Sequence, residues 1–475
     1  MQGTYHHTAR AAAPTPSIRD LLGFLPKLWR QPPFALIEAR ETYGDIIRLG
    51  FHPKAMMHLI SHPDYIAQVL LTNNRSYRKK SLYHNHLFRG VLGDGLLTSE
   101  GDLWLRQRRM IQPSFHHDRL IPLVPMMTDE VDKMLARWDG FYQRGEPLDV
   151  YEEMVDLTRR VNGRIIFGDD VVGDAVDAGR RAFARGARFL LLTGNKFPSR
   201  HRREVSTAKR QIDEVMWGVI NDRVAHPTEN GDVLTMLLEA RDRKTGEPMP
   251  LSQLRDELMT LIFAGYETTE KTLAWSWYLL SENPTGEGRL HQELAQTLAG
   301  RTPTFADLPN LEYTRRVAEE ALRLYPPAWV QGRQAVEDDE IGGYHIPAGS
   351  YIVMNQFGVH RHPDFWDNPN EFDPDRFLPE RAEDRPRFAY NPFGGGPRLC
   401  IGNELALMET QIVVAMVAQR YRPRLVPGHP VELEPEVTLK PRHGLIVTLE
   451  KTSPLSLAPL LHERPVPDRI PLPAL

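Results

Sequence analysis

Phe393-Gly-Gly-Gly-Pro-Arg-Leu-Cys400-Ile-Gly402 is the stretch on which the reading of this chain turns. It holds the only cysteine among 475 residues. Three consecutive glycines permit tight turns and let a flat ligand approach the backbone closely. An apolar helix is expected from about 402 to 421, with its N-terminus next to the sulfur. A helix N-terminus favours a thiolate over a thiol. Loop N–H groups are then able to donate to the sulfur and tune a metal bound there. A lone cysteine is ordinarily a buried structural residue, but the glycines and the following helix favour a ligand here.

The rest of the composition narrows the function. One cysteine excludes an internal disulfide and any multi-cysteine zinc or iron–sulfur site, which fits a reducing compartment. With 58 basic and 62 acidic residues the formal net charge is −4. There is no basic stripe for nucleic acid. The 39 prolines exceed the usual ~5% and point to long ordered connections. Met1 to Ser17 is polar and rich in Ala, Thr and Pro, without the apolar core of a secretion signal. No uninterrupted apolar run reaches the ~18–20 residues of a membrane span. The expectation is a cytoplasmic protein with no transmembrane segment.

The chain shows no internal repeat. It is expected to divide into an N-terminal extension (1–34), one catalytic domain (35–450) and a Pro-rich tail (451–475). A short helix is predicted from Ala35 to Tyr43, followed by strand-like pieces at Asp45–Gly50 and Met57–Ile60. Residues 100–325 are mostly helical by periodicity, and Pro-rich, hairpin-like segments fill 326–399. Pro250 and Pro284 bracket a proline-free run, 251–283. A helix there would be up to ~45–50 Å long. It is apolar on several faces, through Leu258, Leu261, Ile262, Phe263, Leu273, Trp275, Trp277 and Leu279, as a core-crossing helix is. Glu267, Glu270 and Lys271 in its middle argue against a membrane span. Gly265 costs about 1 kcal/mol relative to alanine, which is tolerable if something must pass close to the backbone.

Three further patterns carry chemistry. Glu320-Ala-Leu-Arg323 sets a carboxylate and a guanidinium three residues apart on one helical face; taken alone this is an ordinary surface pair worth under 1 kcal/mol. Ala264-Gly265-Tyr266-Glu267-Thr268-Thr269 places threonines in mid-helix, where the hydroxyl usually bonds back to the carbonyl four residues earlier. Trp104-Leu-Arg-Gln-Arg108 presents an indole N–H and a guanidinium on one face; each alone reads as a solvated group.

The decapeptide resembles the haem-binding loop of the cytochrome P450 family, Phe-x-x-Gly-x-Arg-x-Cys-x-Gly. Phe393, Gly396, Arg398, Cys400 and Gly402 fill every fixed position, and the resemblance extends from about residue 45 to 450. It implies a mainly α fold with small β-sheets. Haem b (iron protoporphyrin IX) would lie between the long central helix and the helix after the cysteine loop, with Cys400 as the iron ligand. Glu320 and Arg323, joined by Arg376 of Phe372-Asp-Pro-Asp-Arg376-Phe377, would be buried and would fix the meander before Cys400. Asp375 stands where the family often has glutamate. Ala264-Gly265-x-Glu267-Thr268 is similar to the family's oxygen-binding kink. Ala264 and Gly265 would let the helix pass over the haem, Thr268 would donate to dioxygen, and Glu267 would relay protons. Trp104, Arg108, Arg333 and Arg398 are implied donors to the haem propionates.

The implied reaction is insertion of one oxygen atom from O₂ into a C–H bond, with two electrons and two protons consumed. The resemblance occupies nearly the whole chain, and neither a Rossmann fingerprint nor a cysteine cluster is present. The electrons are therefore expected from a separate ferredoxin or flavodoxin with its reductase, with Arg106 and Arg109 as cations that steer an acidic partner. A peroxide-driven peroxygenase and a non-catalytic haem-thiolate sensor are the rivals. The acid–alcohol pair Glu267-Thr268, which peroxygenase relatives replace, favours the O₂ route. The expected pocket wall comprises Phe263, Ala264, Pro327–Val330, Leu82–Leu97 and Phe183–Phe197, an apolar set suited to an apolar small molecule. Glu320–Trp329 and Ala274–Trp277 look like the carotenoid-ring hydroxylases of the family. A carotenoid or similar isoprenoid is the favoured substrate, and a fatty acid the next. A peripheral membrane contact through Phe189–Leu192 is a further expectation.

Overall fold

A strand that pairs with one face covered buries alternate residues, as Gln331–Ala335 and Tyr351–Met354 do, whereas Met57–Ile60 buries three residues in a row. The computed structural model describes residues 11–49, 56–79, 89–169, 199–228 and 231–452. The chain divides into two compact units. The first comprises Met1–Ser81, Ala328–Pro369 and Arg385–Cys400; the second comprises Leu82–Pro327, Asn370–Asp384 and Ile401–Leu475. The expected pocket wall at Phe183–Phe197, the expected membrane contact at Phe189–Leu192, residues 82–88 of the Leu82–Leu97 loop, and the tail beyond 452 lie outside the described residues.

In the first unit, helices α1 (Ile18–Arg30) and α2 (Pro32–Tyr43) precede strands β1 (Ile46–Leu49), β2 (Met57–Ile60) and β3 (Tyr77–Arg78). Strands β4 (Gln331–Ala335) and β5 (Tyr351–Met354) come from later in the chain. They form one sheet in the order β1-β2-β5-β4-β3. β1 runs antiparallel to β2 with Ile47 opposite Leu59, and β2 runs parallel to β5 with Leu59 opposite Val353. Ile46, Ile60, Ile352 and Met354 enter a core shared with Ile66, Val69, Leu70 and Phe388. Each such side chain contributes roughly 1.5–3 kcal/mol when fully buried. α2 starts three residues earlier than predicted because prolines occupy its first positions, where a missing N–H costs nothing.

Helix α1 lies in the stretch read from sequence as an extension. Ser17 caps it and Asp20 closes a capping box, a recognised N-terminal signature. Gly23 and Pro26 inside the segment hide it from a propensity reading.

The second unit is helical. Its main elements are α3 (Gly101–Ile111), α4 (Val124–Arg144), α5 (Val150–Phe167), α6 (Leu251–Glu282), α7 (Glu312–Leu324) and α8 (Asn403–Arg420). α6 has 32 residues, a length of roughly 48 Å, and packs against α5, α7 and α8. It is buried on all sides at Leu258, Met259, Ile262, Leu273, Ala274, Trp275 and Leu279. Trp275 stacks on Tyr325 with ring centroids 4.2 Å apart, and its indole N–H donates to the Leu439 carbonyl at 3.2 Å. After α8 the chain turns into strands Tyr421–Leu425 and Ile446–Lys451, which pair antiparallel. No helix among the described residues is long and apolar enough to cross a membrane.

Candidate active site

The cysteine loop is shaped by its own glycines. Gly394 and Gly396 adopt φ of +74° and +65°, the left-handed region where a Cβ is costly. A side chain on Gly396 would collide with the Leu70 carbonyl oxygen, and one on Gly395 would collide with the Phe388 ring. At Gly395 and Gly396 the space that a side chain would take is occupied by protein atoms. The Cys400 N–H donates to the Phe393 carbonyl at 3.0 Å, and Leu399 N–H to Gly396 at 3.1 Å. Cys400 is exposed, against the strong tendency of cysteine to be buried. Arg398 is half-buried in the same turn. Arg333 is buried on β4, its Nη1 donating to the Gly332 carbonyl at 2.8 Å.

In the second unit the middle of α6 bears the second motif. Ala264 is exposed, although Leu261, Ile262, Phe263 and Tyr266 around it are buried. A bared alanine there marks a surface kept free along a core helix. Thr268 Oγ1 donates to the Ala264 carbonyl at 2.9 Å, and Thr269 Oγ1 to Gly265 at 3.0 Å, the back-bonded state that such residues usually adopt. A Cβ on Gly265 would meet the Asn162 amide of α5, so this glycine serves helix–helix packing.

Glu267 is held through both its carboxylate and its carbonyl oxygen. Its Oε1 accepts from Thr438 Oγ1 at 2.6 Å and from Lys271 Nζ at 3.1 Å, and Lys271 also donates to its carbonyl oxygen at 3.1 Å. Lys271 is only 1% exposed and Glu270 is fully buried. Lys271 Nζ reaches Glu270 Oε1 at 3.1 Å, and Tyr151 OH donates to the same oxygen at 3.2 Å. A lysine so deep persists only with its charge paired. Lys271, Glu270, Tyr151 and Thr438 are site-adjacent residues that sequence reasoning missed. The i, i+4 spacing of Glu267 and Lys271 was a readable signal; Thr438, 171 residues away, left none.

The predicted cluster before the cysteine is complete. Arg323 donates to Glu320 through Nε at 2.6 Å and Nη2 at 2.8 Å. Arg376 Nε donates to Glu320 Oε1 at 3.0 Å, and the Asp373 N–H donates to the same oxygen at 2.9 Å. All three side chains are buried. Both arginines also donate to the Glu371 carbonyl, at 3.0 and 3.2 Å. Asp375 turns away to Arg289, 2.8 Å at its longer contact.

Trp104 and Arg108 are half-buried on α3, with Arg108 Nε donating to Gln112 at 3.2 Å. The four proposed propionate donors thus fall two in each unit. Gly402 caps α8. Arg106 and Arg109 correct the sequence reading: both pair with buried Asp242, at 3.2 and 3.3 Å. They hold a turn and are not free steering charges. Two backbone amides of the loop before α3 are also fastened to α6, Asp94 N–H to Asp256 and Leu96 N–H to Glu257, each at 2.8 Å.

Each unit carries side chains of the kinds that suit a haem: in the first, Cys400 offers an exposed sulfur and Arg398 a partly buried donor for a carboxylate; in the second, Ala264 is exposed apolar surface and Trp104 and Arg108 are partly buried donors. A single exposed thiolate suits ligation of a macrocycle-bound iron.

Comparison with known proteins agrees. The family description "Cytochrome P450" matches residues 14–449. The chain is 36% identical to cyclooctatin synthase of Streptomyces melanosporofaciens over 87% of its own length and 90% of the relative's. It is 31% identical to LUTEIN DEFICIENT 5 of Arabidopsis thaliana, covering 89% of this chain and 75% of that one. The crystal structure of the cytochrome P450DA heme domain superposes with a TM-score of 0.85 at 26% identity, covering 94% of this chain and 99% of that one. With the cysteine loop, the buried Glu320–Arg323–Arg376 cluster and these relatives in agreement, the chain belongs to the cytochrome P450 family and is a haem-dependent monooxygenase.

Proposed function

We propose that this monooxygenase hydroxylates an isoprenoid, a terpenoid or carotenoid, at a C–H bond with O₂. The observation that carries the substrate class is the run of relatives that oxidise terpenoids: cyclooctatin synthase, a cyclooctat-9-en-7-ol 5-monooxygenase at 35% identity and a pentalenene oxygenase at 29%. Phe263 and the bared Ala264 supply apolar surface of the kind such a substrate needs. A fatty acid is the second substrate reading.

In this reading the cofactor is haem b, which when bound by a cysteinate supplies the oxidising chemistry. Cys400 would hold the iron, Phe393, Gly402, Ala264 and Gly265 would line the ring, and Trp104, Arg108, Arg333 and Arg398 would donate to the propionates. Glu267 and Thr268 carry the protons. For this Thr268 must release the Ala264 carbonyl and turn its hydroxyl toward the reacting oxygen. Glu267 must exchange its proton while its Oε1 accepts from Lys271 Nζ and Thr438 Oγ1. Electrons come from a separate ferredoxin or flavodoxin with its reductase, in the cytoplasm.

Incubation with NAD(P)H, surrogate ferredoxin and reductase, and a panel of diterpenes, carotenoids and fatty acids tests the reading. The expected result is a Soret shift and a hydroxylated isoprenoid product. Product from peroxide alone, or from fatty acids and no isoprenoid, would overturn it.

A further inference from the structure

Helix α1 carries an apolar ridge that nothing in the catalytic reading uses. Ile18, Leu22, Leu25 and Trp29 are 67%, 62%, 55% and 62% exposed, the four highest values for large apolar side chains among the described residues. Their spacing of four, three and four residues aligns them within about 60° of the helix circumference. The opposite face is seated. Phe24 packs on Tyr43 of α2 with centroids 6.4 Å apart, and Lys27 Nζ bonds both carboxylate oxygens of Glu38 at 2.7 Å. Leu21 and Leu28 are half-buried on the flank between the ridge and that face. The ridge is therefore held outward by the fold and is not a frayed end.

The charges around the ridge choose its occupant. Exposed Arg19 and Arg30 lie roughly 90° from its centre, on one margin. Asp20, the only acid of the helix, is on the far side, engaged with Ser17 in the capping box. An apolar convex stripe with a tryptophan and a cationic margin has the composition of a helix lying in a bilayer interface, where the apolar face enters the headgroup boundary and the arginines meet anionic lipids. Its 13 residues reach only ~20 Å, too short to span the ~30 Å hydrocarbon core.

We infer that α1 is a peripheral membrane-docking helix which seats the protein on an anionic lipid surface through Ile18, Leu22, Leu25 and Trp29. This inference is independent of the substrate reading, since docking is measured without turnover.

The test is co-sedimentation of the full-length haem-loaded protein with vesicles of phosphatidylcholine, with and without phosphatidylglycerol. The wild type is expected in the pellet with the anionic vesicles, less so at high salt. L22E/L25E is expected to bind at least about tenfold more weakly, with an unchanged Soret spectrum and circular dichroism. Trp29→Ser, with a smaller loss, provides a second variant if the first fails to fold. A wild type that stays in the supernatant, or variants that bind as the wild type does, would overturn the inference. So would a ridge that instead mediates self-association, seen as a wild-type dimer in sedimentation velocity that the variants abolish.

Discussion

Lys271 Nζ lies 3.1 Å from Glu267 Oε1 and the same distance from Glu270 Oε1, so one buried ammonium is shared between the carboxylate beside Thr268 and a second one behind it. Removing one partner of a buried ion pair leaves the other uncompensated. Lys271→Met is expected to lower unfolding stability by about 3–5 kcal/mol, read by urea titration. Adding Glu270→Gln is expected to restore part of the loss, because it removes one stranded charge. A single variant as stable as wild type would mean that the lysine is not charged in the folded protein.

Glu320 faces two arginines that have no exposure to speak of, Arg323 at 0% and Arg376 at 2%. Burial pulls Arg376 below the usual guanidinium range. Glu320→Ala strands both cations and frees the Asp373 amide, so a loss of about 3–5 kcal/mol is expected, with a lower haem-to-protein ratio after purification. Normal haem content and an unchanged melting temperature would contradict the assigned folding role.

Much of this was legible beforehand, for definite reasons. The α6 span is bracketed by prolines, and the Glu320–Arg323 spacing sits on a strongly amphipathic helix, so local pattern sufficed. The cysteine loop is a contiguous run. What escaped depends on contacts between distant segments: Thr438 reaching Glu267, Asp242 taking up Arg106 and Arg109, and Asn162 filling the space at Gly265. Helix α1 was missed for a different reason. Its spacing was present in the sequence, but Gly23 and Pro26 lowered its helical propensity.

Gly396 and Gly428 separate backbone conformation from close approach. Both have positive φ, +65° and +80°, yet Gly428 has open space where a Cβ would go and Gly396 has the Leu70 carbonyl. Gly428→Ala is expected to cost about 1 kcal/mol. Gly396→Ala is expected to cost about 1–3 kcal/mol more and to perturb the Soret spectrum. Equal melting temperatures for the two variants would refute the contact.

Glu257 is fully buried, and desolvation pushes its carboxyl from the ordinary 4.5 up to about 8, despite the amide bond from Leu96. The folded protein therefore holds a proton there that the unfolded chain releases above about 4.5. Stability falls as pH rises from about 4.5 to about 8, because the unfolded state binds fewer protons in that window. Glu257→Gln keeps the shape and removes the titration. Its denaturation midpoint is expected to decline less than that of wild type over this range. Parallel pH profiles would show that the carboxyl is not protonated when folded.

The account stands on a bond between the Cys400 sulfur and haem iron. The most direct measurement is the carbon monoxide difference spectrum of the dithionite-reduced protein, recorded for wild type and Cys400→Ala at matched haem content. A wild-type band near ~450 nm, absent in the variant, is the predicted result. A wild type without that band, or a variant that retains it, would contradict thiolate ligation.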